Sequence, residues 1–138
     1  MNFQLGVWYS NRALSVEEAA DMYNMLFERE LRPTEQFPNV YAFYNELTSR
    51  YPDIADLSED DIELSPWSCS HERSGAHVLV GLMADKAAQV AAEVLELAQK
   101  HGLVCFDPKN QVVHLPNYLQ AGIPALGSTR GTNQLVSA

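Results

Sequence analysis

The stretch that most limits what this chain can fold into is His77–Phe106, where an apolar run, a helical repeat and a second apolar run follow one another. His77–Met83, HVLVGLM, is short and continuously apolar, which predicts a well-buried strand. From Asp85 to His101 the residues Ala87, Val90, Ala91, Val94, Leu97 and Ala98 recur at three- and four-residue spacings, the pattern of an amphipathic helix. Asp85 is placed to cap its first turn, Lys100 and His101 put positive charge at its last, and Gly102 suits the left-handed residue that ends it. Leu103–Phe106 predicts the next strand, closed by a turn at Asp107-Pro108.

Outside this unit the punctuation is equally local. Phe3–Tyr9 alternates and predicts a strand, with Phe3, Leu5, Val7 and Tyr9 on one face and Gln4, Gly6 and Trp8 on the other. Ser15-Val16-Glu17-Glu18 has the form of a capping box with Leu14 as its staple, opening a helix to about Glu30. Pro38 suits the first turn of a second helix that runs to about Arg50 and stops before Pro52. Asp53–Glu63 is six-elevenths acidic and predicts a surface segment tied down by Ile54, Leu57 and Ile62. Leu64–Ser70 predicts an edge strand because it contains Pro66. Gln111–Leu115 predicts a short returning strand, with a turn near Asn117–Gln120.

The order is β-α-α-β-β-α-β with one added strand. Treating the first two helices as a single crossover gives a split β-α-β plan: an α+β, ferredoxin-like sandwich with an antiparallel-rich sheet of four or five strands and helices on one face. Residues 1–116 form one domain in this reading, and 117–138 a flexible or loosely docked tail. If Val78, Val80 and Leu82 face the helices, then His77, Leu79, Gly81 and Met83 join Gln4, Gly6 and Trp8 on an open face. An open apolar face predicts a homodimer through Trp8, Leu79 and Met83.

Charge narrows the partners. Eighteen acidic and nine basic residues give a net charge of −9, which opposes nucleic-acid binding, since phosphate contacts need a basic surface. A basic protein partner fits better, with Asp56, Glu59, Asp60, Asp61 and Glu63 as its docking residues. The start, MNFQLGVWYS, has neither a basic n-region nor a long apolar stretch, and no run is long enough to span a bilayer, so the expected compartment is the cytoplasm, with Cys69 and Cys105 reduced. In the ferredoxin-like order these two cysteines lie on opposite outer strands, beyond disulfide range.

No motif announces a chemistry. Cys69 and His71 have strand spacing for a shared face, but a zinc site needs a second ligand pair, for which His77 or Cys105 would have to serve. His77, His114 and Asp107 come without a nucleophile elbow or a paired-His motif. The acidic run lacks the glycine and the alternation of an EF-hand. No catalytic residue, metal or cofactor is expected. The stretches LGVWYS with SVEEAA, PWSCSHERSGAHV and HGLVCFDPKNQVV together resemble a set of small bacterial proteins, some of which lie near polymorphic toxin systems. The resemblance spans about residues 3–115 and implies an immunity-like binding role. The expected function is therefore a non-enzymatic interaction protein with an acidic surface. The alternative is a small enzyme or ligand-binding protein with a pocket near Trp8, Trp67, His71 and His77; a concave pocket holding two of those groups favours it.

Overall fold

Alternation in the first residues becomes β1, Phe3–Trp8, in a computed structural model that describes residues 3–121. Leu5 and Val7 enter one hydrophobic cluster and Trp8 enters another on the opposite face. The same division holds in β3, His77–Leu82, where Val78, Val80 and Leu82 face the first cluster and Leu79 the second. It holds again in β4, Val104–Asp107, where Cys105 faces one way and Val104 and Phe106 the other. With β2, Glu72–Arg73, and β5, Val112–His114, these strands form one five-stranded sheet in the order β2-β3-β1-β4-β5, with every neighbouring pair antiparallel. The fold is α+β as expected, with β1 and β3 central and the outer strands in the split β-α-β arrangement.

The helices start where their caps place them. In α1, Val16–Phe27, Ser15 Oγ accepts from the Glu18 amide at 3.1 Å and Glu18 Oε1 accepts from the Ser15 amide at 3.0 Å. Pro38 opens α2, Pro38–Arg50. The helix α4, Ala87–Lys100, is preceded by Lys86 as its cap residue, not Asp85, and has no side-chain cap bond. It ends as expected at Gly102, whose φ of 70° only glycine adopts without strain.

One face of the sheet carries α2 and α4, which pack Val40, Phe43, Leu47, Val90, Val94 and Leu97 on it. Glu46 ties the two helices together through Lys100 at 2.9 Å and His101 at 2.8 Å. The other face is not open. There α1 and the short helix α5, Asn117–Ala121, lay Ala19, Tyr23, Leu26 and Leu119 over Trp8, Leu79 and Phe106. The placement of all helices on one face is thus corrected: α1 belongs to a third layer. Gly6 explains how it gets close, since a Cβ there would stand 2.8 Å from the Tyr23 ring. Trp8 and Leu79 are 2% and 6% exposed, so the expected two-fold contact loses two of its three residues to the interior; only Met83 is exposed.

The edge strand is broken. Trp67 bridges Leu82, the chain loops out through 69–71, and pairing resumes at Glu72 with Leu79. Leu64–Ser70 is therefore not a regular strand, consistent with Pro66 having no amide to donate. Cys69 sits exposed on this edge and Cys105 is buried in β4 with two strands between them; both thiols are free, as the strand order requires. Between α2 and the edge, the acidic run forms a 3₁₀ turn, Ile54–Asp56, and a single-turn helix α3, Glu59–Ile62. Ile54 packs on the core, whereas Ile62 is exposed and belongs to neither cluster. Residues 122–138, most of the expected tail, lie outside the described residues. No helix among the described residues is long and apolar enough to cross a membrane.

Candidate ligand-binding cleft

Trp8 and His77 are partners across the β1–β3 ladder, so their side chains stand side by side on the face that α1 covers. They sit at the end of the sheet, where the loop between α1 and α2 passes over it. A cleft of about 440 Å³ opens there, walled by Leu14, Met22, Leu26, Leu31 and Phe37 around Trp8 and His77. Tyr9 and Phe37 stack at its edge, with ring centroids 4.3 Å apart. Arg12 and Glu35 are its charged residues, and Arg12 pairs with Glu18 at 2.9 Å on the exposed surface.

Two polar groups in this cleft have unmet bonding capacity. His77 is only 6% exposed, and neither its Nε2 nor the Trp8 indole Nε1 has a hydrogen-bond partner among the described residues. An unpaired buried donor of this kind costs about 1–3 kcal/mol. The other imidazole nitrogen, Nδ1, lies 2.7 Å from Ser74 Oγ, which already accepts from the Ala76 amide at 3.0 Å. In the neutral ring with its proton on Nε2 the Ser74 hydroxyl donates to Nδ1; in the other tautomer Nδ1 donates to Ser74 Oγ and Nε2 is the unpaired acceptor. Burial lowers the His77 pKa, with Glu72 opposing, so the ring is neutral near pH 7.

A second hollow of about 350 Å³ adjoins the first and shares Leu26, Leu31, Pro33 and His77 with it. Its other walls are Arg29, Arg32, Glu72, Arg73 and Ser74. Arg29 pairs with Glu72 at 3.3 Å, and Arg73 lies over the Tyr44 ring, 4.1 Å from its centroid. Three arginines, Arg12, Arg29 and Arg32, thus border the joined hollows against two carboxylates, Glu35 and Glu72, while the Arg73 guanidinium lies over Tyr44 on the α2 face of the sheet. This is the reverse of the whole chain's balance. The sequence reading did not single out Arg29, Arg32 or Arg73. Arg29 and Arg32 flank the end of α1, and only the covering of the sheet by α1 brings them to β2.

The other predicted residues lie elsewhere. Trp67 belongs to the cluster under α2 and α4, and its indole donates to the Tyr51 carbonyl at 3.0 Å. His71 stands edge-on to Trp67 at 4.4 Å and lines neither hollow. Leu79 is core, and Met83 is at the surface. Cys69, His71, His77 and Cys105 are not brought together, and no group of three metal-binding side chains occurs among the described residues. Asp56, Glu59, Asp60, Asp61 and Glu63 are all exposed, while Asp53 is buried and accepts from the Tyr44 hydroxyl and the His71 amide.

The histidines make stability depend on pH. Burial lowers the pKa of His71, His77 and His114 below the ordinary value of 6.5, and nearby carboxylates oppose it only in part. A lowered folded pKa means the unfolded chain binds more protons, so this contribution is complete above about pH 6.5 and is lost as pH falls toward the folded pKa values. Both ring nitrogens of His71 lack partners among the described residues. His71→Phe should therefore raise the urea midpoint more at about pH 5.5 than at about pH 7.5. Equal midpoint changes at the two pH values would show that His71 is not held neutral.

No family model matches the chain, and no curated protein and no solved structure shows significant similarity to it. The cleft itself must carry the functional reading.

Proposed function

We propose that this protein binds a small ligand in the cleft between α1 and the ends of β1 and β3. The observation that carries this reading is a cross-strand pair, Trp8 and His77, that lines one cleft with one buried ring nitrogen of each unpaired among the described residues. Apolar walls with a few unsatisfied polar groups are the usual composition of a ligand site. A fragment library screened by two-dimensional NMR tests it. The expected result is a set of shift changes confined to Trp8, Met22, Leu31, Phe37 and His77. Hits that all map to other surfaces would sink the reading.

A second reading, a non-enzymatic interaction protein with an immunity-like role toward a basic partner, is favoured by a separate observation. Asp56, Glu59, Asp60, Asp61 and Glu63 share one exposed segment with Ile62 and Leu64, which are 39% and 76% exposed. Exposed aliphatics in an acidic segment suit a partner of opposite charge. Replacing Asp56, Glu59, Asp60 and Asp61 with Asn or Gln should leave the fold unchanged, because none of the four is buried. Pull-down from native cells with mass spectrometry supplies the partner. Its association with the substituted protein should be slower at low salt and nearly equal at high salt, since salt screens such fields over about 8–10 Å. Equal on-rates at low salt would leave this segment a solvated connection.

A further inference from the structure

We propose that the ligand of this cleft is a small organic carboxylate, its apolar body held among Leu14, Leu26 and Leu31 and its carboxylate directed past His77 toward Arg29 and Arg32. The inference rests on reading the cleft as a ligand site and adds the ligand's chemistry.

Three observations meet on it. The first is the supply of donors. Trp8 Nε1 can only donate, and His77 Nε2 donates in the tautomer in which Ser74 donates to Nδ1, so one acceptor group satisfies both unpaired buried nitrogens. A ligand bringing only donors leaves them unmet. The second is charge placement. Nine lysines and arginines occur in the whole chain, and three of them, Arg12, Arg29 and Arg32, border these joined hollows. In a protein of net charge −9, that is where an anion meets the least repulsion. The guanidinium groups are on the surface, and their ion pairs are weak and exchangeable. Planar guanidinium forks match a carboxylate, and hydrogen bonds to a charged acceptor are stronger than those to a neutral one. The third is shape. His77 belongs to both hollows; Leu14, Met22 and Phe37 line the first alone, and Arg29 and Arg32 the second alone. A molecule with an apolar body and an anionic end follows that division.

Both unpaired nitrogens are covered by neighbouring side chains, so the ligand must displace part of the wall to reach them. Met22, half-buried and unbranched, is the wall residue best suited to repack.

The test uses the full chain and three probes with one body: phenylacetate, phenylacetamide and phenethylamine. The readout is the Trp8 indole N–H signal, which the Trp67 signal controls because that indole is already bonded to Tyr51. Phenylacetate should bind roughly fivefold to tenfold tighter than phenylacetamide, and phenethylamine weakest. Replacing Arg32 by Gln should weaken phenylacetate several-fold and leave phenylacetamide unchanged. Arg32 is exposed, so the fold does not depend on it. His77→Phe should weaken both acceptor probes. If phenethylamine or phenylacetamide binds as well as phenylacetate, the anionic class is wrong while the cleft stands. If none of the three moves the Trp8 signal, the cleft reading falls with it.

Discussion

Leu97→Ala should destabilise the protein by about 2–5 kcal/mol, the range for removing a fully buried leucine and leaving its space unfilled. Leu97 lies on the inward face of α4, is 1% exposed, and shares its cluster with Leu5, Val7, Val78 and Val80 from the two central strands. Relaxation around the cavity is limited by the neighbours. Val94 and Ala98 are fixed on the same helix, and Phe43 and Leu47 close in from α2. Urea unfolding of the variant measures the loss, and a domain of this size has only about 5–15 kcal/mol to lose. An unchanged midpoint would mean that α4 presents a different face to the sheet, and the amphipathic assignment on which this layer rests would be wrong.

That layer was legible because sequence and tertiary structure ask for the same thing there. The spacing of Val90, Val94 and Leu97 defines one buried stripe, and the apolar residues of β1 and β3 supply a matching surface. The alternation of His77–Leu82 was also correct residue by residue. What it did not say was whether the outward set met water. Val16, Ala19, Tyr23 and Leu26 identify α1 as amphipathic, but an amphipathic stripe does not reveal which side of a sheet it covers. Gly6 held the clue, because a strand without a side chain at that position lets the Tyr23 ring approach. The edge strand failed for a related reason. Pairing on either side of 69–71 differs in register, and Pro66 signals an edge without signalling where the break falls.

The candidate site was half legible. Trp8 and His77 were named from their aromatic and imidazole chemistry, and the ladder made them neighbours. Trp67 and His71 were grouped with them because they too sit near strand ends, yet the sheet separates the Trp67 cluster from the cleft. Arg29 and Arg32 carry no sequence pattern; Arg29 is 43 residues from Glu72 and meets it only because α1 ends beside the sheet edge. Net charge misled in the same way. A total of −9 describes the field far from the molecule, whereas a ligand in a cleft responds to the few groups that line it.

Phe106→Ala should cost about 3–5 kcal/mol, as much as or more than the Leu97 substitution. Phe106 is fully buried on the face opposite α4, and its ring lies 5.9 Å from that of Tyr23 and 6.4 Å from that of Trp8. Losing it removes the platform on which α1 rests, so the variant should loosen α1 selectively before the sheet unfolds. Hydrogen exchange should show this as faster exchange of the α1 amides from Ala19 to Phe27, with the α4 amides little changed. The Trp8 indole signal should move as well, since Trp8 packs beside Phe106, while the Trp67 signal on the other face should not. The comparison with Leu97→Ala separates a three-layer molecule from a two-layer one. In a two-layer sandwich Phe106 would face water, and its removal would cost less than about 0.5 kcal/mol, as for surface substitutions generally. A loss near 4 kcal/mol, with exchange quickened in α1, is the result that a covered second face requires.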